Sequence, residues 1–232
     1  MAESEHRPLR VAVMVSGRGS NLQALLDAAA VPSYPVSIEL VVSNVPDVQA
    51  LERAGTAGIR TATVPHRDFD SREAFERKIS AVLESAAPDL ICQAGFMRIL
   101  TPWFIERWHN RLINIHPSLL PAFPGLRTHE KALEAGVRLH GCTVHLVRTE
   151  VDSGPIIGQA AVPVSPEDTS ESLAARVLRA EHKLYPTCLQ LIAESHIRLG
   201  EDKVHFTGSF NEDDALLLNP GTAELVRPSD FS

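Results

Sequence analysis

The first apolar stretch, Leu9 to Val15, is almost unbroken and ends at Ser16-Gly17-Arg18-Gly19-Ser20-Asn21. A short continuous apolar run bounded by glycines predicts a strand buried on both faces, as in a parallel sheet. Asn21 to Ala30 carries Leu22, Leu25 and Leu26 at helical spacing. The alternation then repeats. Val36 to Ser43 predicts a strand rich in β-branched residues, Gln49 to Ala57 a helix stopped at Gly58, and Thr61 to Val64 a short strand. Asp70-Ser71-Arg72-Glu73 is a cap-like start to a helix running to about Ala86, broken at Pro88. Leu90 to Ala94 predicts another buried strand before Gly95, Thr101-Pro102 opens a short helix through Trp108, and Leu112 to Ile115 predicts a strand stopped by Pro117. Strand and helix in regular alternation imply right-handed βαβ units.

Residues 117–128 break this pattern, being rich in Pro and apolar residues and too irregular for either element. Such a loop over a site often serves as a lid. Beyond it, Gly141 to Val147 and Ile156 to Val164 predict strands joined only by Arg148 to Pro155, which indicates an antiparallel or mixed extension. Ser170 to about Ile192 predicts one long helix with Leu173, Val177, Leu178, Leu184 and Leu191 apolar. The expected fold class is therefore α/β: an open, doubly wound, mostly parallel sheet with a mixed or antiparallel C-terminal extension. Residues 9–199 form a single domain, with halves of about 9–108 and 109–199, and the tail 200–232 is assigned no role. No internal repeat is evident.

Composition narrows the function classes. Of 232 residues, 44% are hydrophobic and 22% charged, ordinary for a globular chain. A net charge of −7 argues against a nucleic-acid partner, which calls for a basic stripe. Cys92, Cys142 and Cys188 form no Cys-x-x-Cys pair, so neither a zinc knuckle nor a disulfide framework is supported. The thiol pattern fits a reducing compartment. The N-terminus lacks the apolar run of a signal peptide, and no segment approaches a membrane span. The expectation is a cytoplasmic protein with no membrane partner.

Two segments carry chemistry. Gly17-Arg18-Gly19-Ser20-Asn21 lies where the first strand turns into the first helix, and a helix N-terminus with close-approaching glycines suits an anion. Leu22 stands where a dinucleotide fingerprint wants its third glycine, and no Lys-Ser/Thr follows as in a P-loop. One monophosphate held by Gly19, Ser20 and Asn21 is one reading; a tight capped turn without a ligand is the other. In Asn114-Ile115-His116-Pro117, Asn114 and His116 are two apart on a strand and share a face, with Pro117 holding His116 extended. An amide donor beside an imidazole at a strand end suits acyl transfer, although a histidine in such a place commonly just caps a loop. Asp152, in the turn Val151-Asp152-Ser153-Gly154-Pro155, would orient the ring if it reaches His116. His129, His140 and His145 lack metal-ligand spacing, His140 and His145 fall on opposite faces of their strand, and no metal is expected.

Six segments together resemble the folate-dependent formyltransferases: Ser16 to Leu22, Ala94 to Leu100, Asn114 to Pro121, Pro124-Gly125, Val151 to Pro155, and Glu181-His182. The resemblance runs from about Arg10 to Leu199. It implies formyl transfer from 10-formyltetrahydrofolate, as co-substrate, to the amine of 5'-phosphoribosylglycinamide in de novo purine biosynthesis. Position by position, it implies Gly19, Ser20 and Asn21 as ligands of the ribose phosphate, and Asn114, His116 and Asp152 as the catalytic set. It places Glu181 against the glycinamide. Met97, Arg98, Ile99 and Leu100, with Asn114, would line the folate site, and Arg72 would lie near the benzoyl-glutamate. It admits a homodimer. Relatives acting on methionyl-tRNA carry a C-terminal β-barrel that the 200–232 tail is too short to build. Two rival readings are a formyltetrahydrofolate hydrolase, with water replacing the amine, and a nucleotide-binding regulatory module in which His116 is only structural.

Overall fold

In the computed structural model, which describes residues 7–201 and 203–207, seven strands form one sheet. They are β1 (Leu9–Val15), β2 (Val36–Ser43), β3 (Thr61–Thr63), β4 (Leu90–Gln93), β5 (Leu112–His116), β6 (Leu139–Leu146) and β7 (Ile156–Pro163). Their order is β3-β2-β1-β4-β5-β6-β7, parallel from β3 through β5 and antiparallel for β6 and β7. The chain winds outward from β1 in one direction and from β4 in the other. The ends of these two strands therefore diverge, which is where open α/β sheets hold ligands.

The unbroken apolar run of β1 reflects burial on both faces. Val11, Val13 and Val15 pack with Leu22 and Leu25 of α1 (Ser20–Ala29) and with Tyr185 and Leu189 of α6 (Ser170–Ala193). Ala12 and Met14 face the other way, toward Phe75, Ile79 and Leu83 of α3 (Arg72–Glu84) and Phe104 of α4 (Pro102–Arg107). The short helix α2 (Gln49–Thr56) joins the first layer through Ala50 and Ala54. Local capping sets the other boundaries. Ser71 accepts the Ala74 N–H at the start of α3, and Thr101 accepts that of Phe104 at the start of α4, with Pro102 at the first helical position.

The long α6 runs as expected, begins at a capping box on Thr169 and Ser172, and continues through Pro186 without ending there. Its Tyr185 is fully buried yet donates its hydroxyl to the Gln93 carbonyl at 3.0 Å, which satisfies the polar tip and pins the helix to β4.

A helix and a strand pair lie outside the expectation, as does one 3-10 turn at His66–Asp68. A helix, α5 (Thr128–Glu134), follows the irregular 117–127 segment, with Ala132 buried. It starts on Arg127 in the left-handed conformation with no side-chain cap, so the usual start signal is missing. The strand pair is small and antiparallel and lies across the boundary of the expected domain, β8 (Ile197–Leu199) at its end with β9 (Val204–Phe206) in the unassigned tail; the tail beyond Thr207 lies outside the described residues. All three cysteines are buried and unpaired.

Candidate active site

The glycine segment turns β1 into α1 through Gly19, at φ 70°, a left-handed conformation open to glycine. A Cβ there would lie 2.6 Å from the Ala50 Cβ and 2.9 Å from its Cα, so α2 also closes the position to a larger residue. No side chain caps α1, and its first turn carries no acidic residue. The dipole end and its N–H groups face outward from Ser20. The Asn21 amide Nδ2 donates to Glu181 Oε2 at 2.7 Å, joining the loop to α6, while Asn21 Oδ1 is buried without a partner among the described residues. Glu181 is buried (6% exposed), and that burial raises its pKa against the opposing Asn21 bond.

At the end of β5 the antiparallel return of β6 decides the arrangement. Asn114 pairs with His145 and His116 with Thr143, so two polar pairs face each other across the ladder. Asn114 Nδ2 lies 3.3 Å from His145 Nε2, and His145 Nδ1 lies 2.9 Å from the Leu146 carbonyl. The carbonyl can only accept, which places the His145 proton on Nδ1 and leaves Nε2 to accept from the amide. Burial lowers the His145 pKa, in keeping with that neutral tautomer. The second Asn114 N–H is then free to serve a ligand.

His116 is 5% exposed. Its Nε2 donates to the Phe123 carbonyl at 3.0 Å, and its Nδ1 lies 3.3 Å from Asp152 Oδ2. The same carboxylate oxygen accepts the Gly125 N–H at 2.8 Å, and the other, Oδ1, lies 3.7 Å from His145 Nε2. Asp152 reaches inward from a tight turn, itself at φ 54°. Gly154 lets that turn press onto β6, since a Cβ there would sit 1.8 Å from the Leu146 carbonyl oxygen. Behind His116, His140 Nε2 lies 3.3 Å from His129 Nδ1, and burial, reinforced by its histidine neighbours, pushes the His140 pKa down to about 4. His140 and His145 thus serve separate surroundings.

These groups form one wall of a cavity of about 580 Å³, within the range of small-molecule sites. Met97, Arg98, Ile99 and Leu100 line it too. Around its mouth Met97 (73% exposed), Ile99, Leu126 and Val151 hold apolar side chains in solvent. Among the described residues no group of three or more His, Cys, Asp or Glu side chains could hold a metal, and no helix is long and apolar enough to cross a membrane.

A family model described as formyl transferase matches residues 9–189. The chain belongs to the formyl transferase family. It is 44% identical over 200 residues to the phosphoribosylglycinamide formyltransferase of Escherichia coli (strain K12), covering 86% of this chain and 94% of that one. It is 50% identical over 193 residues to the trifunctional purine biosynthetic protein adenosine-3 of Bos taurus, covering 83% of this chain and only 19% of that protein. The chain thus spans a fifth or less of the length of the trifunctional relatives it matches. Among solved structures, glycinamide ribonucleotide transformylase 1 from Symbiobacterium toebii superposes with a TM-score of 0.83 at 42% identity, over 87% of this chain and 95% of that one.

Within this formyl transferase the structure brings Asn114, His116 and Asp152 together at the cavity wall, beside Met97 to Leu100. It also brings Asn21 to Glu181. Arg72 does not line the cavity; it is exposed at the first position of α3, one turn before Phe75, over whose ring the Arg98 guanidinium stacks at 5.4 Å. His145 was not foreseen as part of the site. Its signal was present in the pattern, since Asn114/His116 and Thr143/His145 are both polar pairs two apart on otherwise apolar strands.

Proposed function

We propose that the chain transfers the formyl group of 10-formyltetrahydrofolate to the amine of 5'-phosphoribosylglycinamide. The observation that carries this reading is the convergence of Asn114, His116 and Asp152 on the wall of an apolar-mouthed cavity, with only β4 between their strand β5 and the strand β1 that leads into an uncapped helix N-terminus. The folate would occupy the cavity along Met97, Arg98, Ile99 and Leu100. Its glutamate end would leave toward α3, where the exposed Arg72 would meet a carboxylate. The acceptor's phosphate would sit on the N–H groups of Gly19, Ser20 and Asn21, with Glu181 facing its glycinamide portion.

The acceptor nitrogen attacks the formyl carbon, forming the new C–N bond and pushing the carbonyl pair onto oxygen. Asn114 Nδ2 and His116 Nε2 donate to that oxyanion, the substrate oxygen replacing the Phe123 carbonyl on Nε2. Asp152 holds the ring in place from Nδ1. Collapse breaks the bond to the folate nitrogen N10, which takes the proton released by the acceptor amine. The products are the formylated acceptor and tetrahydrofolate. The thiol pattern supports placing this reaction in a reducing cytoplasm.

The test is a spectroscopic assay for deformylated folate with and without phosphoribosylglycinamide. Turnover that requires the acceptor supports transfer. Formate release without it would make the chain a hydrolase, and tight calorimetric binding of NAD or ATP with no turnover would make it a regulatory module.

A further inference from the structure

The wall carrying the proposed donor site is built on an irregular segment. Between β4 and α4, residues 94–101 adopt no helix or strand, and Met97 and Ile99 point large apolar side chains into solvent. Such a segment has few internal hydrogen bonds to hold it. Two side chains from distant elements supply them.

At the near end, the Met97 N–H donates to Ser16 Oγ at 2.9 Å. Ser16 closes β1, immediately before the glycine loop, and spends its own proton on Asn44 Oδ1 at 2.6 Å. That fixes the hydroxyl with its lone pairs toward Met97. Asn44 is itself buried at the end of β2, with its Nδ2 3.1 Å from His66 Nδ1.

At the far end stands Glu76, a carboxylate on α3 that is 1% exposed. It accepts the Thr101 N–H at 2.9 Å and also the Thr101 hydroxyl. Burying a carboxylate is costly unless donors meet it. Here both donors belong to the residue that ends the cavity wall and caps α4. Neither Ser16 nor Glu76 lines the cavity.

We propose that Ser16 and Glu76 are positioning residues for the formyl donor: a clamp that grips residues 97–101 at both ends and holds the lining residues Met97 to Leu100 in a fixed register. The clamp rests on the reading of this cavity as the folate site. It also ties that site to the acceptor side, because Ser16 adjoins Gly17. Each bond is worth about 0.5–1.5 kcal/mol, so losing one should weaken folate binding by about three- to tenfold.

The experiment is calorimetric titration of the intact protein and its variants with tetrahydrofolate, beside the KM of each substrate. Ser16→Ala is expected to weaken tetrahydrofolate by about three- to tenfold and raise the donor KM in step. The acceptor KM and the Tm should stay close to wild type, amide exchange at Met97 should accelerate, and Ser16→Thr should restore all of these. Glu76→Gln, which keeps an acceptor for one Thr101 donor, should act the same way and more weakly. Undiminished tetrahydrofolate affinity in both Ser16→Ala and Glu76→Gln overturns the clamp alone. Equal loss of both substrates with a fallen Tm also overturns it, in favour of a merely structural role. A wild-type protein that does not bind tetrahydrofolate overturns the donor-site reading, and the clamp with it.

Discussion

The two sides of the site are made from different materials. On the acceptor side, where β1 feeds α1, the groups proposed to hold phosphate are main-chain N–H groups, and the side chains mostly shape and brace. On the donor side, where β6 returns antiparallel to β5, the chemistry lies in side chains facing one another across the ladder. A parallel strand turning into a helix supplies a dipole and a row of unpaired donors. An antiparallel pair instead brings opposite side chains within about 5 Å at Cβ, close enough to build a constellation. Substitutions should therefore act by side-chain chemistry on one side and by backbone conformation on the other.

The largest effect is expected on the donor side. His116→Ala removes one oxyanion donor, and kcat should fall by about 10²–10³ with little change in either KM; steady-state kinetics with both substrates varied will show it. A loss confined to KM would erase the distinction. On the acceptor side the strongest lesion is Gly19→Ala, which forces an L-residue to φ 70° and drives its Cβ into Ala50. The conformational cost alone, about 1–2 kcal/mol, should raise the acceptor KM on the order of tenfold and leave the donor KM unchanged.

The two sides also respond to acid with opposite sign. Glu181 has a raised pKa because it is buried. Between its usual 4.5 and the raised value, the folded chain binds more protons there than the unfolded one. Its contribution to stability is complete below 4.5 and is lost as pH rises through that window. Glu181→Gln should therefore raise Tm by a few degrees at neutral pH while costing acceptor affinity, and the Tm gain should vanish in acid. The histidines in and behind the donor wall do the reverse. Burial lowers His129, His140 and His145, the second to about 4, so the unfolded chain binds more protons as pH drops below 6.5. Their contribution is lost on acidification, and His140→Gln should flatten the fall of Tm between pH 6.5 and 4. A melting series in both variants reads the two signs directly. The smallest effect belongs to Ser20→Ala, which leaves the main-chain donor in place; the acceptor KM should rise about threefold or less. A larger rise would mean that the acceptor side, too, works through side chains.

What the sequence discloses follows from how local each cause is. The run Leu9 to Val15 announces a doubly buried strand because every residue from Val11 to Val15 belongs to the core on one face or the other. Ser71 announces α3 because its partner is three residues away. Asn114 and His116 share a face by strand period alone. The meeting of Asp152 with His116 was an inference from chemistry; its realisation depends on how closely the turn at Gly154 packs, which no local pattern encodes. α5 was missed because it starts without a cap and is only seven residues long. The Ser16–Met97 and Glu76–Thr101 bonds span 81 and 25 residues, and nothing in either local stretch marks them. Arg72, carried over by resemblance, stands exposed at the first position of α3 and outside the cavity lining, a placement that no local pattern announces.

The three cysteines have a practical consequence. Cys92 on β4, Cys142 on β6 and Cys188 on α6 are all sealed in the interior, and burial pushes each thiol up to about 12. Only the thiolate reacts with an alkylating reagent, so the folded molecule is inert to labelling at neutral pH. Uptake of label, followed by mass spectrometry peptide by peptide, then times the opening of two strands and one helix independently, using reporters the chain already owns.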